Sequence, residues 1–120
     1  QFFFSCLFPI IYRLLPKRVI LGDSIQPQEL VVPSNEGETV TLTCTYSTSY
    51  TGIYLYWYRK YPNRAPEFIL LRGAKSYTGT RTADFAKQRF DSKTSSSSTR
   101  LTVKNLELGD AALYYCALLL

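Results

Sequence analysis

Histidine and methionine are both absent from these 120 residues. Without histidine the chain lacks the commonest general base and the commonest metal ligand. Its three cysteines, Cys6, Cys44 and Cys116, are too few for a four-thiolate zinc site. Charged residues are scarce at 19%, and no block of basic residues and no basic helical face occurs. The electrostatic footprint of a nucleic-acid binder is therefore missing. Serine and lysine are plentiful, but no spacing sets a nucleophile beside a base. The expectation is a protein that is not an enzyme, needs no metal or cofactor and binds no nucleic acid. The lack of methionine adds the expectation of a fragment that does not start at its own initiation codon.

What the chain has in quantity is aromatic: ten Tyr, seven Phe and one Trp make 15% of it. Its length suits one domain with a single core. The net charge of +5 is uneven, because Arg13, Lys17 and Arg18 precede every acidic residue, while eleven basic and nine acidic residues are scattered through the remainder. Ahead of those three cations, residues 1–12 form an uncharged apolar run, too short for a membrane span of roughly 20 residues. A secretory signal peptide would explain the run, yet its positive charges follow the apolar stretch instead of preceding it. A third explanation is translated intron: Phe, Ser, Leu and Pro all have all-pyrimidine codons and crowd residues 2–9. Val19–Gly22 would then be the tail of a true leader. On each of these readings residues 1–22 are expected to lie outside the fold, with Cys6 an orphan thiol.

From Asp23 onward, turn residues separate short β-prone segments. After the turn cluster Pro33–Gly37, residues 39–45 alternate, with Val40, Leu42 and Cys44 on one face and threonine on the other. That is the period-two pattern of a half-buried strand. Ile53–Tyr61 is aromatic and closed by Pro62-Asn63; Glu67–Leu71 ends at Gly73; Ser98–Val103 alternates again; Leu113–Cys116 is a last aromatic strand. The four serines Ser95–Ser98 fit a hairpin crossing better than a linker. No window of ten residues has helical spacing. About seven short strands with turns between them indicate an all-β sandwich.

Within that framework Cys44 and Cys116 stand 72 positions apart, Trp57 follows the first by 13, and Tyr114 precedes the second by two. This arrangement resembles the immunoglobulin variable domain, a Greek-key β-sandwich. Asp110-Ala111-Ala112-Leu113-Tyr114-Tyr115-Cys116 is similar to its D-x-A-x-Y-x-C segment, and Arg89 falls where such domains place the partner of that aspartate. The resemblance implies a Cys44–Cys116 disulfide between the sheets, with Trp57 packed against it, the Tyr114 hydroxyl bonded to backbone, and an Arg89–Asp110 ion pair. Buried free thiols and unrelated surface charges are the alternatives. Trp57-Tyr58-Arg59-Lys60, the ending at Leu118 and the start at Asp23 look most like T-cell receptor alpha chains, whose segments delta chains share. The resemblance covers residues 23–118, leaving Leu119 and Leu120 as a truncated end. The final (G) strand, which a joining segment would add with Phe-Gly-x-Gly, is missing, so an exposed edge is expected on the last strand.

Function on this resemblance resides in surfaces. It implies an antigen face built from two loops, about 47–54 and 72–78, carrying Ser49, Tyr50, Thr51, Tyr54, Arg72, Lys75, Ser76 and Tyr77. Tyrosine, serine and glycine there supply aromatic anchors and adaptable hydrogen bonds. It also implies a chain-pairing face of Tyr58, Lys60, Pro66 and Tyr115, with Lys60 replacing the glutamine common in the family. The implied partners are a beta-type receptor chain, a peptide presented by a major-histocompatibility molecule, and CD3-type signalling subunits reached through other regions. The implied location is the extracellular face of the plasma membrane. The alternatives are another V-set receptor, an adhesion module or an antibody light-chain segment.

Overall fold

A computed structural model describes residues 2–7, 23–29 and 31–119, the first six as backbone only. Among these residues, ten strands form two sheets. One sheet has six strands in the order β3-β1-β10-β5-β6-β7, and the other has four in the order β2-β4-β9-β8. In chain order they are β1 Phe2–Leu7, β2 Ser24–Pro27, β3 Val31–Ser34, β4 Val40–Ser47, β5 Gly52–Lys60, β6 Glu67–Lys75, β7 Thr80–Thr82, β8 Phe90–Thr94, β9 Ser98–Val103 and β10 Leu113–Leu119. Two single 3₁₀ turns, Asp84–Ala86 and Leu108–Asp110, are the helical elements among the described residues.

Alternation places the core between the sheets. Val40, Leu42, Cys44 and Tyr46 of β4, with Leu101 and Val103 of β9, meet Ile53, Leu55 and Trp57 of β5 and Tyr114, Cys116 and Leu118 of β10. Each large apolar side chain so buried stabilises the fold by about 1.5–3 kcal/mol. Cys44 and Cys116 are bonded, joining β4 of one sheet to β10 of the other across 72 residues. Trp57 is fully buried, and its indole Nε1 donates to Thr99 Oγ1 on the opposite sheet at 3.1 Å. Thr99 also lies 3.4 Å from Ser92 Oγ. The polar atoms inside this core are therefore satisfied, as burial requires.

Two strands differ from the sequence expectation. Gly73 does not end β6, which runs on to Lys75. The glycine serves close approach instead: a Cβ there would sit 2.6 Å from the Tyr77 carbonyl oxygen, and the Gly73 amide donates to the Gly79 carbonyl at 2.8 Å. At the amino-terminal end, residues 1–22 were expected outside the domain, yet the backbone of Phe2–Leu7 is strand β1, parallel to β10 and antiparallel to β3. An unpaired strand edge offers a row of donors and acceptors that an uncharged, aromatic-rich segment can satisfy. The β10 edge, expected to be open, is thus lined along Leu113–Tyr115. The remainder of that leader-like stretch, residues 8–22, lies outside the described residues.

One end of the sandwich is fastened by charge. Arg89 grips Asp110 with two parallel bonds of 2.7 and 2.9 Å, and its Nη2 reaches Glu107 at 3.0 Å. Asp110 is only 2% exposed, and its carboxylate also accepts the Glu107 amide at 2.9 Å. Tyr114 donates its hydroxyl to the Asp110 carbonyl at 2.6 Å, fixing the start of β10 to the turn before it. Arg59 approaches from β5, 3.7 Å from Asp110 and 2.7 Å from Glu67, with its guanidinium 4.3 Å from the Phe85 ring centre. Burial acts to raise the Asp110 carboxyl, but the Arg89 bonds, the Glu107 amide and the charges of both arginines outweigh it and hold it below the usual range.

Two outcomes follow. Replacing both Cys44 and Cys116 with alanine should cost about 4–5 kcal/mol on the chain-entropy estimate for so long a loop, measured by urea unfolding against the oxidised protein. For Asp110 the depressed native value means that its contribution is complete above the unfolded value near 4 and is lost as pH falls through the native one. Arg89→Ala should therefore cost about 3 kcal/mol at pH 7, and the gap between variant and wild type should shrink as the unfolding series is carried down to pH 2.

Candidate recognition surfaces

At the opposite end, two loops are built against each other. Residues 48–51 join β4 to β5, and residues 76–79 join β6 to β7. Thr48 Oγ1 accepts the Tyr50 amide at 3.2 Å, the local side-chain turn that threonine favours. Lys75 has φ of 59°, which turns the chain sharply out of β6. Its ammonium then crosses to the other loop and donates to the Thr48 and Tyr50 carbonyls at 3.2 and 3.1 Å. The Ser76 amide adds a bond to the Thr51 carbonyl at 2.9 Å. The Tyr77 ring lies 4.9 Å from that of Tyr54 and closes directly over Gly52, where a Cβ would come within 2.4 Å of ring carbons. Any larger residue there would have to displace the Tyr77 ring and the Ser76 hydroxyl.

Seven of the eight loop residues singled out from sequence gather here. Ser49, Thr51, Lys75, Ser76 and Tyr77 are exposed, while Tyr50 and Tyr54 are half-buried and support the pair. Arg72 stands apart. It lies inside β6, and its guanidinium bonds to the Leu71 and Arg81 carbonyls at 2.8 and 3.1 Å and to Asp91 at 3.2 Å. It ties β6 to β7 and β8, so the loop boundary drawn at Arg72 is too early. The chemistry on offer at the loop end is hydroxyls, one ammonium and aromatic faces, which suits contact recognition and contains no nucleophile–base pair.

The outer face of the six-stranded sheet carries the second surface. Tyr58 and Tyr115 are cross-strand partners in register, Lys60 follows two residues on and bonds the Tyr61 carbonyl at 3.4 Å, and Pro66 is exposed in the turn before β6. Beside them lie Tyr56 and Phe68, which sequence reasoning did not assign. Tyr56 stacks on Tyr58 with ring centres 6.0 Å apart, and Phe68 meets both edge-on at 6.1 and 5.9 Å. Burial, and then the neighbouring Tyr56, raise the Tyr58 phenol above its ordinary value. Tyr56 was within reach of simple alternation from Tyr58. Phe68 was not, because the register shifts between Trp57 and Tyr58, so Trp57 pairs Leu70 while Tyr58 pairs Phe68. Ile69 and Leu70 both turn inward as a result.

A groove of about 250 Å³ is lined by Arg72, Arg89, Lys87, Lys104 and Asp91, among others. Its arginines and Lys87 are already engaged with Asp91, Asp110 and Asp84, which leaves little uncompensated charge for a ligand.

A family model for the immunoglobulin V-set domain matches residues 26–119. Among known proteins, the chain is 36% identical over 109 residues to the T-cell receptor alpha chain V region CTL-F3 of Mus musculus, spanning 91% of this chain and 79% of that one. It is 33% identical over 114 residues to the T-cell receptor alpha chain V region RL-5 of Oryctolagus cuniculus, spanning 95% and 81%. It is also 36% identical over 105 residues to T cell receptor alpha variable 18 of Homo sapiens, spanning 88% and 89%. With a disulfide-linked pair of sheets, fastened loops at one end and matches over nearly all its length, the chain belongs to the immunoglobulin V-set family and groups there with T-cell receptor alpha variable regions.

Proposed function

We propose that this domain is the antigen-recognition module of a T-cell receptor alpha chain. It pairs with a beta-type chain through the outer face of its six-stranded sheet and contacts peptide held by a major-histocompatibility molecule through the 48–51 and 76–79 loops. The observation that supports this most is the division of the surface aromatics, exposed at Tyr77 and half-buried at the other five, between two places. Tyr77 and its partner Tyr54 sit at the loop end, while Tyr56, Tyr58, Phe68 and Tyr115 form one patch on β5, β6 and β10. Aromatic patches of this kind are enriched where domains dock, and tyrosine-rich loops where they recognise. Lys60 and Pro66 border the docking patch, and Lys75 braces the loop pair. CD3-type signalling subunits would be engaged by other parts of the receptor. A disulfide-bonded domain suits the oxidising extracellular face of the plasma membrane.

Usage in a delta chain is the second reading. A relative 38% identical over 84 residues carries both names, T cell receptor alpha variable 38-2/delta variable 8 of Homo sapiens.

Tyr115→Glu tests the pairing face, because it sets an unpartnered carboxylate in the centre of the patch. Titration against a beta-type variable domain should show affinity falling by about tenfold or more, with the melting temperature of the isolated domain nearly unchanged. Unfolding of the isolated domain would instead mean that Tyr115 is structural and that the face has been misassigned.

A further inference from the structure

The aromatic patch on β5, β6 and β10 carries a charge pattern that its rings do not explain. Alternation along β5 buries Trp57, turns Tyr58 to the outer face, directs Arg59 inward to Asp110 and brings Lys60 back outward beside Tyr58. Lys60 stands opposite Leu113 in the same register that sets Tyr58 opposite Tyr115. An ammonium has three donors to satisfy. Among the described residues the Lys60 side chain has one bond, 3.4 Å from the neighbouring Tyr61 carbonyl, and no carboxylate at ion-pair distance.

Two more cations flank the patch. Arg81 of β7 holds its guanidinium 5.7 Å from the Phe68 ring centre, and Arg64 is exposed in the turn that also carries Pro66. Neither has a carboxylate partner among the described residues. Glu67, which begins β6 beside Phe68, is already bonded to Arg59 at 2.7 Å. The surface around the rings is therefore positive, with no free acid to balance it locally. A domain docking there takes Lys60 out of water. An ammonium closed in without acceptors is strongly unfavourable, whereas a facing carboxylate gives charge-assisted hydrogen bonds.

Resting on the pairing role given above, we propose that Lys60 is a specificity-determining residue, selecting a partner variable domain that presents a carboxylate to this edge of the aromatic patch. The selection works in both directions. A carboxylate on the partner is attracted, and a neutral residue in the same place strands the ammonium and is penalised.

The test uses the full chain and one beta-type variable domain in two versions, with glutamate or its neutral isostere glutamine at the residue that lies against Lys60 in the pair. Titration should show the glutamate version binding about tenfold or more tightly than the glutamine version. Lys60→Gln should remove that preference, and Lys60→Glu should reverse it. Equal affinity for the two versions, or a preference that survives Lys60→Gln, overturns the proposal and leaves the pairing face standing. Binding to neither version removes the pairing role itself, and this inference with it.

Discussion

A covalent link from β4 to β10 passes through the middle of the sandwich, and the packing around it accounts for most of the architecture. Cys44 and Cys116 are fully buried, as is Trp57, which occupies the layer between the sheets and spends its one polar atom on Thr99. The link limits how far the sheets can part, the indole fills the space beside it, and the threonine prevents an unsatisfied donor from penalising the burial. β5, β6 and β10, whose outer faces carry the aromatic patch, are anchored by inward neighbours of these residues.

The two ends of the molecule use different physics. At the Asp110 end a buried carboxylate is surrounded by two arginines, a backbone amide and a tyrosine corner, and the arrangement sets the position where β10 begins. A network of this kind contributes definition of geometry more than net stability. At the loop end the fastening is lighter and more exposed: one lysine bonding two carbonyls, one backbone bond, and a tyrosine lying on a glycine. Those contacts limit the conformations of the loops without covering their hydroxyls and rings. Restricting loops in this way lowers the entropy they lose on ordering at any contact.

Composition and spacing made much of this legible. The absence of histidine directed attention away from chemistry, the alternation in residues 39–45 and 98–103 located the two central strands of the smaller sheet, and Cys44, Trp57, Tyr114 and Cys116 carried the family resemblance. Short or weakly patterned strands were missed: β7 has three residues, and β2 and β3 have four each. At that length there is no periodicity to detect.

What the sequence by itself determined, then, is the inward side of the alternating strands, Val40, Leu42 and Cys44 among them, since a period of two assigns alternate residues to one face, while the cysteine pair and its tryptophan followed from the family resemblance. Three matters were decided only in three dimensions. The register shift opposite Trp57 turned Phe68 outward, because one extra residue in β6 reverses the alternation there. Gly73 became a point of close contact instead of a strand end, because the 76–79 loop folds back onto it. Phe2–Leu7 pairs with both β3 and β10, partners distant in sequence that six residues of apolar pattern do not specify.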